Sequence, residues 1–237
     1  MTSTLPAAHL LRQFLLFALF VLSLQLALRA GYALWRYPAF EEAGLPLAGL
    51  FLTGLRFDLS LVGGVCLVPL ALGSLLGAFD ATRGLARVLV VVWLVLALGA
   101  ILAAELLTPV FIAVDGARPD AAVLADPAEL AVAAGELVRR YPAWSAAGSA
   151  VLVLVLVAYA ARMEPARLLR HRLARRPALA LAVLGGLACA ALARSRLDPR
   201  EPPLALADVA LGGPPVVDQI AANSGWTLLA PLLSLGP

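Results

Sequence analysis

Apolar residues run along this chain in five long stretches that contain very few charged side chains. A helix needs about 20 mostly apolar residues to cross the hydrocarbon core of a bilayer, and the five stretches lie near or above that length. The pattern therefore predicts an all-α polytopic membrane protein with five transmembrane helices in residues 1–193. The predicted spans are about Phe14–Trp35, Leu47–Leu76, Leu85–Leu107, Ala143–Ala161 and Ala178–Ala193.

The second span contains residues that weaken a helix. Gly63 and Gly64 are adjacent, and Pro69 follows on the same stretch. Proline removes a backbone donor and kinks helices, so these positions could split the span in two. The stretch is also long enough to tilt strongly or to begin in the membrane interface.

A different pattern lies between the third and fourth spans. Asp126 precedes Pro127, and Glu129 follows three residues after the aspartate, which is typical of a helix N-terminus. Apolar residues then recur at helical spacing opposite charged ones, up to Tyr141-Pro142. We expect a short amphipathic helix over about residues 126–140, lying either on the outer membrane surface or against the spans as an ordinary solvated helix.

Proline and glycine become frequent after Arg194, so residues 194–237 are predicted to be an extended extracytoplasmic linker. A short helix is expected within it from about Val216 to Ala222, ended by Asn223-Ser224-Gly225. The apolar stretch Trp226–Leu235 is too short to cross the membrane again.

Composition excludes a soluble globular protein, because 62% of the residues are hydrophobic, 14% are charged and the mean hydropathy is +0.93. All 18 basic residues are arginine, which we attribute to genome composition. Most of them flank apolar runs, so we expect no nucleic-acid partner.

Cys66 and Cys189 lie within apolar runs as small hydrophobic residues. No potential ligands have a metal-binding spacing, so no metal site is predicted.

The arginines also predict the orientation, because cytoplasmic loops are enriched in basic residues. With a cytoplasmic N-terminus, the inner segments Met1–Gln13, Asp80–Arg87 and Arg162–Arg176 hold nine arginines and two acidic residues. The outer segments hold seven arginines and eleven acidic residues. We therefore expect a multi-pass protein of the bacterial inner membrane with its C-terminus in the periplasm or outside the cell.

A cleavable signal peptide is the alternative interpretation of the first span. Its apolar stretch Phe14–Leu28 is at the upper length of a signal sequence, and Leu28-Arg29-Ala30 is a poor cleavage site. These features favour an uncleaved membrane anchor.

Charged residues within the spans are candidate functional residues, because each costs about 2.5–3.5 kcal/mol on insertion scales. Arg56 and Asp58 are two positions apart, so on a helix they point in nearly opposite directions and cannot pair. A contact between Arg56 and Glu105 is geometrically possible, because both belong to the outer half of the predicted membrane. The candidate cluster comprises Arg29, Arg56, Asp58, Glu105 and Arg118.

Three interpretations of this cluster remain open. In the first, the cluster is an interhelical polar network that sets the register of the spans. In the second, an arginine fork binds the phosphate of a lipid headgroup. In the third, the long charged side chains extend to the membrane interface. Replacing Arg56 by leucine separates the first two. The network predicts poor folding, whereas the lipid site predicts normal folding with lost lipid binding.

The segment Gly54–Leu59, which contains Arg56-Phe57-Asp58, resembles the second transmembrane helix of the lipoteichoic acid synthase and phosphoglycerol transferase family. Other elements match that family in order: Glu105, Phe111, Arg118-Pro119-Asp120, Pro127–Leu130, Tyr141-Pro142 and Asn223–Trp226. The family belongs to the alkaline-phosphatase and sulfatase superfamily, and its members share a plan of five spans with an outer C-terminus.

This resemblance implies a function for the chain. In the family, catalysis belongs to a large extracytoplasmic domain with a threonine nucleophile and manganese or magnesium. That domain would begin near Pro237, and no threonine here has the carboxylates and histidines needed to activate it. We therefore expect a membrane anchor that presents phosphatidylglycerol-type lipid and is not catalytic by itself.

Two alternative functions remain open at this stage. The first is a stand-alone, non-enzymatic membrane protein that partners a separate catalytic subunit. The second is a small transporter, which is less favoured because no internal repeat or midplane acid–base pair is present. The expected partners are membrane lipids, with phosphatidylglycerol as one of them.

Overall fold

A computed structural model describes residues 5–162, 168–196, 200–202, 204–209 and 211–233 of the chain. Parts of the segments used in the predictions above lie outside the described residues: Met1, Leu235 and Pro237, and residues 163–167, 197–199, 203 and 210. The described part is all-helical. Its α-helices are α1 (Leu5–Trp35), α2 (Tyr37–Glu42), α3 (Leu47–Leu76), α4 (Arg83–Val114), α5 (Ala121–Ala125), α6 (Pro127–Arg140), α7 (Pro142–Arg162), α8 (Arg175–Ala180), α9 (Gly186–Arg194), α10 (Pro215–Ala221) and α11 (Ser224–Leu233).

Five helical segments are long and apolar enough to cross a membrane, as the hydrophobic pattern predicts. Four of them are α1, α3, α4 and α7. The fifth runs over Arg175–Arg194 and consists of α8 and α9, joined by a π-helical turn at Leu181–Gly185. The predicted bounds of the second span agree with α3, whereas α1 begins at Leu5 rather than near Phe14.

Helix α3 lies at the centre of the bundle and packs against α1, α4, α9, α10 and α11. The α3–α9 contact depends on Gly63, because a Cβ atom at this position would lie 2.5 Å from the backbone nitrogen of Ala193 and from the carbonyl oxygen of Cys189. Glycine thus lets the two helix backbones meet. Gly63-Gly64 could have split the second span, but α3 continues through both residues.

Pro69 does not split α3 either, because a neighbouring helix compensates for its missing N–H. Proline leaves the carbonyl four residues earlier without its helical donor. In α3 this is the carbonyl of Val65, which accepts a 2.9 Å hydrogen bond from the indole Nε1 of Trp93 on α4. The same arrangement recurs in α4, where Pro109 frees the carbonyl of Glu105 and the Tyr32 hydroxyl donates to it at 2.8 Å.

The predicted amphipathic helix is present as α6, and Asp126 caps it. One oxygen of the Asp126 side chain accepts hydrogen bonds from the backbone N–H groups of Ala128 and Glu129. The buried face of α6 packs on α4 and α7, and it includes Ala133 and Leu137. Val132 and Val138 are exposed, so α6 has apolar side chains on both a packed and an open face.

The chain after α9 differs from the expected extended linker. A 3₁₀ turn at Leu206–Val209 is followed by α10 and α11, and both helices pack on α3. Helix α10 ends at Ala221, one residue before the expected end, and α11 begins at Ser224, within the stretch that was predicted only to end a helix. The reason is burial, because the residues from Ile220 to Ser224 are fully enclosed by the bundle.

The opposite end of the bundle is closed by the arginine-rich loop between α7 and α8. The backbone N–H of Leu173 donates to the carbonyl of Gly77 at 2.9 Å, and the Nε of Arg87 donates to the carbonyl of Leu168 at 2.8 Å. Three leucines of the loop itself have buried side chains: Leu168, Leu169 and Leu173. The described part of the loop is therefore packed onto the helix ends.

Candidate functional site

Arg29 and Asp58 form a two-pronged ion pair between α1 and α3. Nη1 of Arg29 lies 2.8 Å from Oδ2 of Asp58, and Nη2 lies 2.8 Å from Oδ1. Both side chains are only 2% exposed. The parallel bonds match the planar guanidinium to the carboxylate, which is the geometry that favours arginine over lysine.

Gly54 provides the space for this pair. It lies one helical turn before Asp58 on α3, and a Cβ atom there would lie 2.2 Å from the Cζ and Nε atoms of Arg29. Any larger residue would displace the guanidinium. The Gly54 and Asp58 positions of the sequence motif thus serve one interaction, the placement of Arg29.

Asn223 connects this ion pair to the C-terminal segment. Its side-chain Nδ2 donates to Oδ1 of Asp58 at 2.8 Å, and its Oδ1 accepts from the backbone N–H of Trp226 at 2.6 Å. The second bond caps α11. Arg29 also donates from Nε to the carbonyl of Ala221, at 3.3 Å. The ion pair therefore holds both the end of α10 and the beginning of α11.

Glu105 and Arg118 form a second buried ion pair, between α4 and the segment that follows it. Nη1 of Arg118 lies 3.1 Å and 2.9 Å from the two carboxylate oxygens, and both side chains are 2% exposed. The guanidinium carbon of Arg118 lies 5.3 Å from the centre of the Tyr32 ring, in cation–π geometry.

Ser224 connects the second ion pair to the same C-terminal segment. Its backbone N–H donates to Oε1 of Glu105 at 2.8 Å, and its hydroxyl oxygen accepts from Arg118 at 2.8 Å. That hydroxyl also lies 2.6 Å from the hydroxyl of Thr108. Two adjacent residues, Asn223 and Ser224, thus bind the two ion pairs. We call this set the double ion-pair cluster: Arg29, Asp58, Glu105, Arg118, Asn223 and Ser224.

Trp226 continues the contact along α11. Its ring meets the Phe57 ring edge to face, with centroids 4.7 Å apart and planes at 90°. The indole Nε1 lies 3.2 Å from the hydroxyl of Ser60, which donates to the carbonyl of Ala193 on α9. The C-terminal segment is therefore fixed by apolar packing as well as by charge.

Mutual pairing makes these buried charges tolerable. Transferring a lone charge from water to a low-dielectric interior costs several kcal/mol even after relaxation. Here each guanidinium faces a carboxylate, and each carboxylate accepts a further bond from Asn223 or Ser224. Removing one member of such a pair typically costs about 3–5 kcal/mol.

The structure brings together four of the five predicted cluster residues, namely Arg29, Asp58, Glu105 and Arg118. Arg56 is separate from them, because it is exposed while Asp58 is buried. The contact between Arg56 and Glu105 that the sequence allowed is not formed: the carboxylate of Glu105 bonds to Arg118 and Ser224 instead. The opposite directions of Arg56 and Asp58 on α3 agree with the helical geometry predicted from their spacing.

Arg56 lies instead near the turn that follows α9. Burial alone would raise the pKa of the Asp208 carboxyl. Hydrogen bonds from the Ala205 N–H and the Arg196 guanidinium, together with the charge of Arg56, outweigh that effect, so the pKa of Asp208 is below its usual range. The charge on Arg56 therefore helps to keep Asp208 ionised in its ion pair with Arg196.

Sequence reasoning missed the roles of Tyr32, Gly54 and Ser224, and treated Asn223 only as a helix stop and a motif residue. Tyr32 and Gly54 carry no charge to draw attention to them. Asn223-Ser224 did give an indication in the sequence, because these two polar residues lie between two apolar segments. Such a pair is typical of a capped helix start as well as of a stop.

The cluster offers no arrangement for nucleophilic catalysis. The hydroxyls of Thr108 and Ser224 bond to each other and to neighbouring groups, and neither faces a histidine. Within the ranges that the structure describes, no group of three or more His, Cys, Asp or Glu side chains could hold a metal ion. The donors in this described part of the chain do not fit the divalent metal of the phosphoglycerol transferases.

No protein-family model, no curated protein and no solved structure matches this chain. The similarity to the phosphoglycerol transferases therefore depends on the residues described above.

Proposed function

We propose that this chain is the membrane domain of a lipoteichoic acid synthase-like phosphoglycerol transferase. In this role it is not catalytic by itself. It anchors a sulfatase-type catalytic unit at the outer face of the bacterial inner membrane and presents a phosphatidylglycerol-type lipid to it. The manganese or magnesium ion and the threonine nucleophile belong to that catalytic unit.

One observation carries the proposal: two of the sequence elements that resemble the family touch each other. Asp58 of Arg56-Phe57-Asp58 accepts a hydrogen bond from Asn223, and Phe57 packs on Trp226 of the Asn223–Trp226 element. An anchor must hold the segment that joins it to its catalytic unit. The contact supports that role, because the two motifs together fix α11 against the spans.

The distribution of charge supports the proposed orientation. The loop from Arg162 to Arg176 contains six arginines in fifteen residues. The part of it that the structure describes, from Leu168 onward, lies at the end of the bundle opposite the double ion-pair cluster. If this loop is cytoplasmic, as the positive-inside rule favours, the cluster and α11 lie in the outer half of the membrane. A catalytic unit attached there would face the outer leaflet.

A purification from the native bacterium tests the proposal. The protein, tagged at Met1, is extracted in mild detergent and incubated with Mn²⁺ and phosphatidylglycerol that carries a fluorescent acyl chain. We expect release of fluorescent diacylglycerol, because the catalytic unit co-purifies. The same chain produced in an unrelated host is expected to release none, because it contains no activated nucleophile.

Each possible outcome decides a part of the proposal. Native material without diacylglycerol release, at a yield comparable to an active family enzyme, would contradict it. Release by the chain from the unrelated host would contradict the assignment of catalysis to another unit. Where the native material is active, the mass of the tagged polypeptide distinguishes a domain of the enzyme from a stand-alone partner of a separate subunit.

A further inference from the structure

An apolar groove runs between α1 and α7, which contact each other through few residues along this length. It consists of two adjoining chambers with cavity volumes of about 540 and 250 Å³. Four residues line both chambers: Leu24, Leu28, Trp144 and Val151. The floor is α4, and the smaller chamber reaches Glu105 of the double ion-pair cluster.

The length of the groove matches one leaflet of a bilayer. It extends along α1 from Leu24 to Trp35, which at 1.5 Å per residue is about 16 Å. Half of the hydrocarbon core of a typical bilayer is about 15 Å. Beyond Leu24 the two helices close together, since the rings of Phe17 and Phe20 each lie 6.0 Å from the ring of Tyr159.

The open end of the groove has the composition of a membrane interface. Trp35, Tyr141 and Trp144 line it, and such aromatic residues are enriched at the level of lipid headgroups. The guanidinium carbon of Arg36 lies 4.2 Å from the centre of the Trp35 ring. The Nε atom of Arg36 is buried and has no hydrogen-bond partner.

The charges around this end favour an anion. Arg139 and Arg140, at the end of α6 next to Tyr141, share a single partner, Glu136. The two arginines lie in the last turn of α6, next to Tyr141, whereas Asp126 and Glu129 lie at the other end of the helix. Two exposed acidic residues, Glu41 and Glu42, lie on α2, and neither of them lines the groove.

We propose that the α1–α7 groove binds an anionic glycerophospholipid from the leaflet at this end of the bundle. One acyl chain lies between Leu24 and Val151, and the phosphate meets the accessible part of the half-buried Arg36 guanidinium beside Trp35. The inference deepens the proposed function by giving the presented lipid a site. Its biological role rests on that function, but the binding itself does not.

This site differs from the one predicted from the charged residues of the spans. The guanidiniums of Arg29 and Arg118 are 2% exposed and bonded to carboxylates, so a phosphate would have to break an ion pair to reach them. Arg36 offers a donor without that cost. The lipid is therefore placed beside the double ion-pair cluster rather than within it.

Photo-crosslinking in nanodiscs tests the groove. The chain is inserted into equal amounts of phosphatidylglycerol and phosphatidylcholine, and one of the two carries a diazirine near the middle of an acyl chain. We expect phosphatidylglycerol adducts to concentrate on residues 24–35 and 141–151. The phosphatidylcholine probe is expected to give several-fold fewer adducts there.

Two variants examine the two halves of the site. Gly31→Leu adds a side chain to the lining of the groove at a position where nothing lies within 4 Å of a Cβ, and it is expected to abolish the concentrated adducts. Gly135→Leu, at an equally open position on α6, is the control that should keep them. Arg36→Gln is expected to lower the preference for phosphatidylglycerol about fivefold, the equivalent of about 1 kcal/mol for one arginine at a membrane surface.

Adducts spread evenly over the exposed faces of all spans would overturn the proposal, as would an unchanged adduct pattern in Gly31→Leu. Equal labelling by the two lipids in the wild-type chain would overturn the assignment to an anionic lipid. If Gly31→Leu lost its helical circular dichroism, the proposal would still be tested by the adduct pattern of the wild-type chain and by the lipid preference of Arg36→Gln. Diacylglycerol release in the native purification is read separately, so failure of the groove is distinguishable from failure of the proposed function.

Discussion

Asp58 and Asn223, 165 positions apart in the chain, are joined by a hydrogen bond of 2.8 Å in the interior of the bundle. The bond connects a carboxylate already paired with Arg29 to the residue that caps α11. An ion pair between two of the long apolar helices, α1 and α3, therefore also positions the segment that follows α9. Helix packing and placement of the C-terminal segment depend on the same charged group.

Replacing Asp58 by asparagine should destabilise the protein by about 3 kcal/mol or more, because it leaves the buried Arg29 without a counterion. The free energy of unfolding in mixed micelles measures this. Arg56→Gln is the matched control, since Arg56 belongs to the same motif but is exposed, and surface changes usually stay within about 0.5 kcal/mol. A larger loss for Arg56→Gln than for Asp58→Asn would contradict the assignment of the two residues.

Replacing Gly54 by alanine should also destabilise the protein, although alanine ordinarily stabilises a helix by about 0.5–1 kcal/mol relative to glycine. The added methyl group would overlap the Arg29 guanidinium. Gly49→Ala on the same helix is the control, because its Cβ would meet only Leu211 at 3.8 Å. Thermal unfolding should show a lower midpoint for Gly54→Ala only, and equal midpoints for both variants would refute the steric role of Gly54.

Trp93→Phe should cost about 1–3 kcal/mol, because the Val65 carbonyl freed by Pro69 loses its donor. The double variant with Pro69→Ala supplies a backbone N–H at position 69. In that background the loss caused by Trp93→Phe should shrink. A double-mutant cycle measures the coupling, and strictly additive losses would show that Trp93 does not compensate for the proline.

The predicted orientation can be tested by cysteine labelling of sealed cells. His171→Cys and Ala207→Cys place exposed thiols at opposite ends of the bundle, while the native Cys66 and Cys189 are buried. A membrane-impermeant maleimide should label Ala207→Cys in intact cells and His171→Cys only after permeabilisation. The unmodified chain serves as the background control, and the reverse order of labelling would mean that the N-terminus lies outside.

The spans were predictable because a membrane helix is a local property: twenty apolar residues in a row indicate it without knowledge of their neighbours. The cap at Asp126 was predictable for the same reason. The partner of Asp58 was not, since Arg29 and Arg56 are both arginines near the same depth and only the packing of α1 on α3 selects between them. The continuity of α3 depends on Trp93 from another helix, so Pro69 on its own indicated a break.

The C-terminal segment is a clearer case of a structure that local sequence patterns do not predict. Its prolines and glycines are typical of an extended linker, and the short apolar stretch after Asn223 cannot cross a membrane alone. Both features are local. The cluster residues that receive Asn223 and Ser224 come from α1, α3, α4 and the segment after α4, so nothing in the segment itself indicates that it is buried.

Hydrogen–deuterium exchange of the chain in nanodiscs tests the central claim, that the double ion-pair cluster holds the C-terminal segment against the spans. The amides of Trp226 and Thr227, which bond to Asn223, should exchange about as slowly as those in the middle of α3. In Asp58→Asn they should exchange much faster while α3 stays protected. Rapid exchange of these amides in the wild-type chain, beside a protected α3, would mean that the segment is an undocked linker and would contradict the account.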